Sequence, residues 1–98
     1  MDERLELLFR HAGLSEKQAK LYRMLLTDGQ ERVSTLSRKT GIKRGNTYAL
    51  LRDLRVRGLV TEFEKDNIVY FRPEPPERLL ALIEARKKDA TIAGELAA

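Results

Sequence analysis

The stretch Gly41 to Val60, GIKRGNTYALLRDLRVRGLV, constrains the fold of this chain more than any other. It begins with a glycine turn, continues with apolar residues at helical spacing, stops at Gly58 and resumes as the start of a strand in Leu59-Val60. Thr47, Leu50, Leu51 and Leu54 define the inner face of a helix expected from Arg44 to Arg57. Arg44, Tyr48, Arg52 and Arg55 fall largely on the other face. Lys43, Arg44, Asn46 and Thr47 gather at its front, and these residue types can meet phosphates and base edges.

The chain before this segment supplies a partner helix. Val33 to Gly41 reads as a short helix with Ser34 as N-cap and Leu36 as its core anchor. Gly41 supplies a left-handed residue for a sharp turn, and Ile42 fills the angle between the two helices. A short helix, a glycine turn and a second helix form a helix-turn-helix signature. Charge follows the same segment. Residues 1–31 carry five Lys/Arg against six Asp/Glu, residues 32–58 eight against one, and residues 59–98 six against eight, so the net +4 conceals a middle third at +7. Such a concentration is the electrostatic footprint of a polyanion partner, although a solvated basic face would read the same way.

Two helices precede this unit. Residues 2–11 place Leu5, Leu8 and Phe9 on one face, with Asp2 and Glu3 in the first turn and Arg10 and His11 in the last. Gly13 ends that helix. Ser15 with Gln18 predicts a capping box for the next, whose stripe is Ala19, Tyr22, Met24 or Leu25, and Leu26 and whose stop is Asp28-Gly29. After Gly58, residues 59–65 and Ile68 to Arg72 read as two strands joined by an Asp66-Asn67 turn. A hairpin directly after a recognition helix is a wing, with Lys65 at its tip. Pro75-Pro76 then starts a last helix, in which Leu79, Ile83, Arg86, Ala90, Ala93 and Ala97 follow a heptad seam. The expected fold class is α+β and mostly helical: a winged helix-turn-helix with an N-terminal helix and a long C-terminal helix. Residues 1–76 would form the DNA-binding domain and 77–98 a dimerisation segment. The seam runs to the chain end, as in the front piece of a longer protein.

Leu14-Ser15-Glu16 with Ala19 and Tyr22, Leu36-Ser37, Gly41-Ile42-Lys43-Arg44, Tyr48, Leu51, Leu54, Gly58-Leu59-Val60, and Tyr70-Phe71-Arg72 with Pro75-Pro76-Glu77 together resemble the N-terminal domain of TrmB-type transcriptional regulators. The resemblance covers roughly residues 12–85. It implies sequence-specific DNA binding as a dimer, often with a sugar-binding domain downstream; effector sensing is not carried over to this chain. Gly45 departs from the family, which more often has a polar residue there.

On this reading Arg44, Asn46 and Thr47 are the base-contacting candidates, Arg44 by the bidentate geometry that suits guanine. Ser34, Thr35, Lys43, Tyr48, Arg52 and Lys65 are the phosphate candidates. Leu79, Ile83, Arg86, Ala90 and Ala93 are the dimerisation candidates. Arg55 and Arg57 read as a solvated face. The expected partners are double-stranded DNA and a second copy of the chain. The alternative is a winged helix that binds protein, or RNA, within a larger assembly. No cysteine is present, His11 has no cluster around it, and no apolar run reaches the ~20 residues of a membrane span. The sequence therefore predicts no metal, no cofactor, no enzyme and a cytoplasmic location.

Overall fold

The computed structural model describes residues 3–97, with side chains described as far as Lys88. Asp2 and the side chains of Ala90, Ala93 and Ala97 lie outside the described residues. The elements in order are α1 (Glu3–His11), α2 (Glu16–Asp28), β1 (Glu31–Arg32), α3 (Val33–Thr40), α4 (Arg44–Val56), β2 (Val60–Lys65), β3 (Ile68–Pro73) and α5 (Glu77–Ala97). The described residues thus form a mostly helical winged helix with a small antiparallel sheet in the order β1-β3-β2.

Local chemistry accounts for the boundaries. The capping box on α2 is complete: the Gln18 N–H donates to Ser15 Oγ and the Ser15 N–H to Gln18 Oε1, both at 3.1 Å. The hairpin turn places Asp66 and Asn67 at φ 53° and 65°, the pair of left-handed residues that a tight two-residue hairpin needs, and Lys65 pairs with Ile68 across it. Most ends shift by one residue at most, but the start of α3 differs in kind. β1 pairs Glu31 with Phe71 and Arg32 with Tyr70, and two residues are too short to show as a strand pattern in a sequence. Because that strand runs straight into α3, the helix starts at Val33, whose side chain is buried, and Arg32 occupies the N-cap without a side-chain bond. Ser34 is therefore in the first turn and does not cap it.

Phe9, Leu21, Tyr22, Leu25, Leu36, Leu51, Leu54, Leu59 and Phe71 are the larger side chains of a single core between the helices and the inner face of the sheet. Phe9 meets Tyr22 edge to face at 5.8 Å between ring centroids. The Tyr22 hydroxyl donates to the Glu74 carbonyl at 2.7 Å, which fastens α2 to the segment leaving β3. Burial pushes the Tyr22 phenol up to about 12, and the carboxylates of Glu77 and Glu74 add to the shift.

The start of α5 corrects the expected seam. Leu79 is 0% exposed and belongs to the core of its own chain, so it is not available to a second copy. Leu82 and Ile83 pack half-buried against that core. The Arg86 guanidinium lies against the α1–α2 corner, where a Cβ on Gly13 would come within 2.5 Å of its Nη1. Gly13 also has φ +81°, so conformation and space both favour glycine there. Leu79 leaves the expected seam because the first turn of α5 is used to close the domain. Leu80, 53% exposed, and Leu7 of α1, 49% exposed, are the large apolar side chains left outside on these helices among the described residues.

Candidate nucleic-acid interface

The turn Gly41-Ile42-Lys43 sets the position of α4. Gly41 adopts φ 77°, and its N–H donates to the Ser37 carbonyl at 2.9 Å. Ile42 is buried, and its carbonyl accepts from Ser37 Oγ at 2.5 Å and from Thr47 Oγ1 at 3.2 Å. Thr47 Oγ1 also lies 3.0 Å from the Lys43 carbonyl, and its residue is 0% exposed. Thr47 therefore faces inward and cannot reach a base edge. The inner stripe of the sequence already contained it, and burial decides between its two roles in favour of the structural one.

Lys43, Arg44 and Asn46 are exposed. Their side chains make no hydrogen bond or ion pair with the described residues. Two grooves flank this first turn. One, of about 510 Å³, brings Lys43 and Asn46 together with Lys17 and Lys20 of α2. The other, of about 420 Å³, brings Arg44 and Tyr48 together with Arg32, Ser34 and the wing residues Asn67 and Ile68. Thr35, Arg52 and Lys65 line neither. Lys17, Lys20 and Arg32 were missed as site residues because charge was read by block. The spacing of Lys17 and Lys20, one helical turn apart and away from the apolar stripe of α2, was the available signal.

The cations of residues 32–58 divide into two groups. Lys39 is held by Asp28 at 2.9 Å and Glu31 at 3.1 Å. These contacts raise the Lys39 pKa and lower that of Asp28. Arg52 and Arg55 each meet a different oxygen of Glu62 on β2 at 3.2 Å. Arg52 also lies over the Tyr48 ring at 4.5 Å and donates to its hydroxyl at 2.5 Å. Tyr48 in turn donates to Glu62 at 3.4 Å and packs edge-on against Phe71 at 6.0 Å. The Glu62 hydrogen bond is the main reason the Arg52 pKa is raised further. Arg57 bonds Asp53 at 2.9 Å and the Gly13 carbonyl at 3.1 Å. Asp53 also accepts from buried Gln18 at 2.6 Å, so this chain of contacts ties the α1–α2 corner to the end of α4. Arg55 is exposed as expected of a solvated face, though paired with Glu62, whereas Arg57 is half-buried and ties two elements together. Arg32, Arg38, Lys43 and Arg44 remain without such partners among the described residues.

Among the described residues no group of three or more His, Asp or Glu side chains could hold a metal. No helix among them is long and apolar enough to cross a membrane. A glycine-cornered helix pair with a free basic first turn, followed by a hairpin, defines a winged helix of the transcription-regulator class. Residues 8–77 match the family described as "Sugar-specific transcriptional regulator TrmB", and the chain belongs to that family. A search of curated protein sequences finds no match. Among solved structures, TrmBL2 is similar at 25% identity and a TM-score of 0.74 over 95% of this chain, which spans 36% of TrmBL2. TrmBL2 is described as an archaeal chromatin protein with a novel mode of DNA binding. A MarR family protein from Bacillus stearothermophilus is 24% identical with a TM-score of 0.65, covering 93% of this chain and 66% of its own. The regulator Tm0710 from Thermotoga maritima is 18% identical with a TM-score of 0.67, covering 94% of this chain and 69% of its own. These last two establish likeness of fold alone.

Proposed function

We propose that this chain is the DNA-binding part of a transcriptional regulator and that the first turn of α4 enters the major groove of double-stranded DNA. The observation that carries this reading is the cluster of Lys43, Arg44 and Asn46, exposed and without internal partners at the front of a helix whose back is core. Arg44 reads a guanine through O6 and N7, and Asn46 meets an adenine or a phosphate. Lys43, Ser34 and Lys65 hold phosphates and set register, joined by Lys17, Lys20 and Arg32 in the flanking grooves, whereas the Tyr48 hydroxyl is occupied by Glu62 and Arg52. The chain acts as a homodimer through α5. The exposed Leu80 and Leu7 support a second contact surface on the α1 and α5 side of the molecule. Ile83 contributes by its exposed part only.

Selection from a pool of random duplexes tests partner class and symmetry together. A palindromic motif is expected, with half-sites about one helical turn apart. Absence of any enriched motif would sink this reading in favour of a protein-binding winged helix.

A further inference from the structure

The carboxylate of Glu62 is an unexpected neighbour for a helix that approaches a polyanion. It projects from β2 onto α4 and is 16% exposed. One oxygen takes Arg52 and the other Arg55, each at 3.2 Å, while the Tyr48 hydroxyl shares the first at 3.4 Å. Arg44, Tyr48, Arg52 and Arg55 lie at helical spacing along one side of α4, so the restrained arginines continue the side on which Arg44 stands free. Each guanidinium gives one N–H to this carboxylate, which holds it toward the wing and offsets part of its positive charge while its other donors stay open. A phosphate brought to either arginine would also approach the negative charge of Glu62.

We propose that Glu62 tempers the basic face of α4: it holds Arg52 and Arg55 toward the wing and so limits attraction to DNA of arbitrary sequence, leaving base recognition to the first turn of α4. This inference rests on the DNA-binding reading above. Non-specific affinity grows with each phosphate neutralised, whereas base contacts at the first turn do not depend on these two arginines. Withholding them lowers phosphate-driven binding on every sequence, so a larger share of the binding free energy comes from the base contacts of the first turn.

The test measures binding of the full chain to a random-sequence duplex across a salt series. Glu62→Gln keeps the size and one acceptor but releases the ionic hold. The logarithmic salt slope should steepen by about 1 to 2, since each arginine reaching a phosphate adds ~0.9. Affinity at low salt should rise about threefold or more. Glu64→Gln removes an equal charge from the same strand and frees neither arginine, so it should leave the slope close to that of the unaltered chain. A slope unchanged in Glu62→Gln, or raised equally in Glu64→Gln, overturns the proposal while leaving DNA binding intact. Arg52→Ala with Arg55→Ala gives a second measure that does not depend on the Glu62 variant folding. Restrained arginines predict a slope almost unchanged from the unaltered chain, and a fall of about 2 would mean they already reach DNA. If the unaltered chain binds no duplex at any salt, the DNA-binding reading itself fails, and this inference with it.

Discussion

The first turn of α4 and its rear carry the same kinds of side chain and differ in what those side chains touch. At the front, Lys43, Arg44 and Asn46 meet no described partner. At the rear, Arg52 and Arg55 share Glu62, and Arg57 bridges Asp53 and the Gly13 carbonyl. Between them, Thr47, Leu51 and Leu54 are fully buried. One helix is thus an instrument at its N-terminal end and a beam for the rest of its length. Positive charge in a sequence is an upper limit on the charge a ligand can use. Partners supplied by the fold set the usable amount.

The largest effect should come from the beam. Leu54→Ala removes a side chain that is 0% exposed, and about 2–5 kcal/mol of stability should be lost in urea denaturation. A chain that kept its full stability would show that the rear of α4 is not structural, and the comparison would collapse. Arg44→Ala comes next and should leave the unfolding midpoint in place. On a selected site it should cost about 1–3 kcal/mol of binding and relax preference at one base pair. Unchanged preference would remove Arg44 from base reading. Together the two variants separate a loss of fold from a loss of recognition.

Arg57→Ala and Lys43→Ala sharpen the same contrast with smaller effects. The first should lower stability by about 1 kcal/mol, since its ion pair is partly solvated and its bond to the α1–α2 corner is lost. It should leave the salt dependence of binding alone. Lys43→Ala should do the reverse: stability unchanged, and a slope shallower by ~0.9 on every duplex. A shallower slope in Arg57→Ala would show that the rear contributes to DNA contact after all.

How much of this was legible in the sequence depends on the range of the interactions. Glycine turns, the Ser15–Gln18 box and the Asp66-Asn67 hairpin are local, and each formed where the residues placed it. The inner stripe of α4 was also legible, because a repeat of three and four residues fixes direction. What could not be read was pairing at a distance. Glu62 lies ten residues after Arg52, and Gln18 reaches Asp53 across 35. Only the assembled wing and the packed α2–α4 contact bring these groups together. Leu79 misled for a related reason. Its spacing fits a seam, but Pro75 and Pro76 start α5 close enough to the body that its first turn closes the core. Ser34 failed as a cap because a two-residue strand, invisible as a pattern, absorbed the preceding residues.

Gly45 gives the smallest effect and the sharpest question about the front. It lies in the first turn of α4 without a positive φ, and a Cβ built there meets nothing within 4 Å. Nothing inside the molecule therefore demands glycine, and its flexibility weakens the helix. Gly45→Ala should stabilise the chain by about 0.5–1 kcal/mol in thermal or urea unfolding. If the first turn must bring its backbone close to DNA, the same methyl group should weaken binding to the selected site while stability rises. Opposite signs in the two measurements would place the requirement for glycine in the ligand. Stability and affinity rising together would mean that α4 docks without close backbone approach, leaving recognition to Arg44 and Asn46 alone.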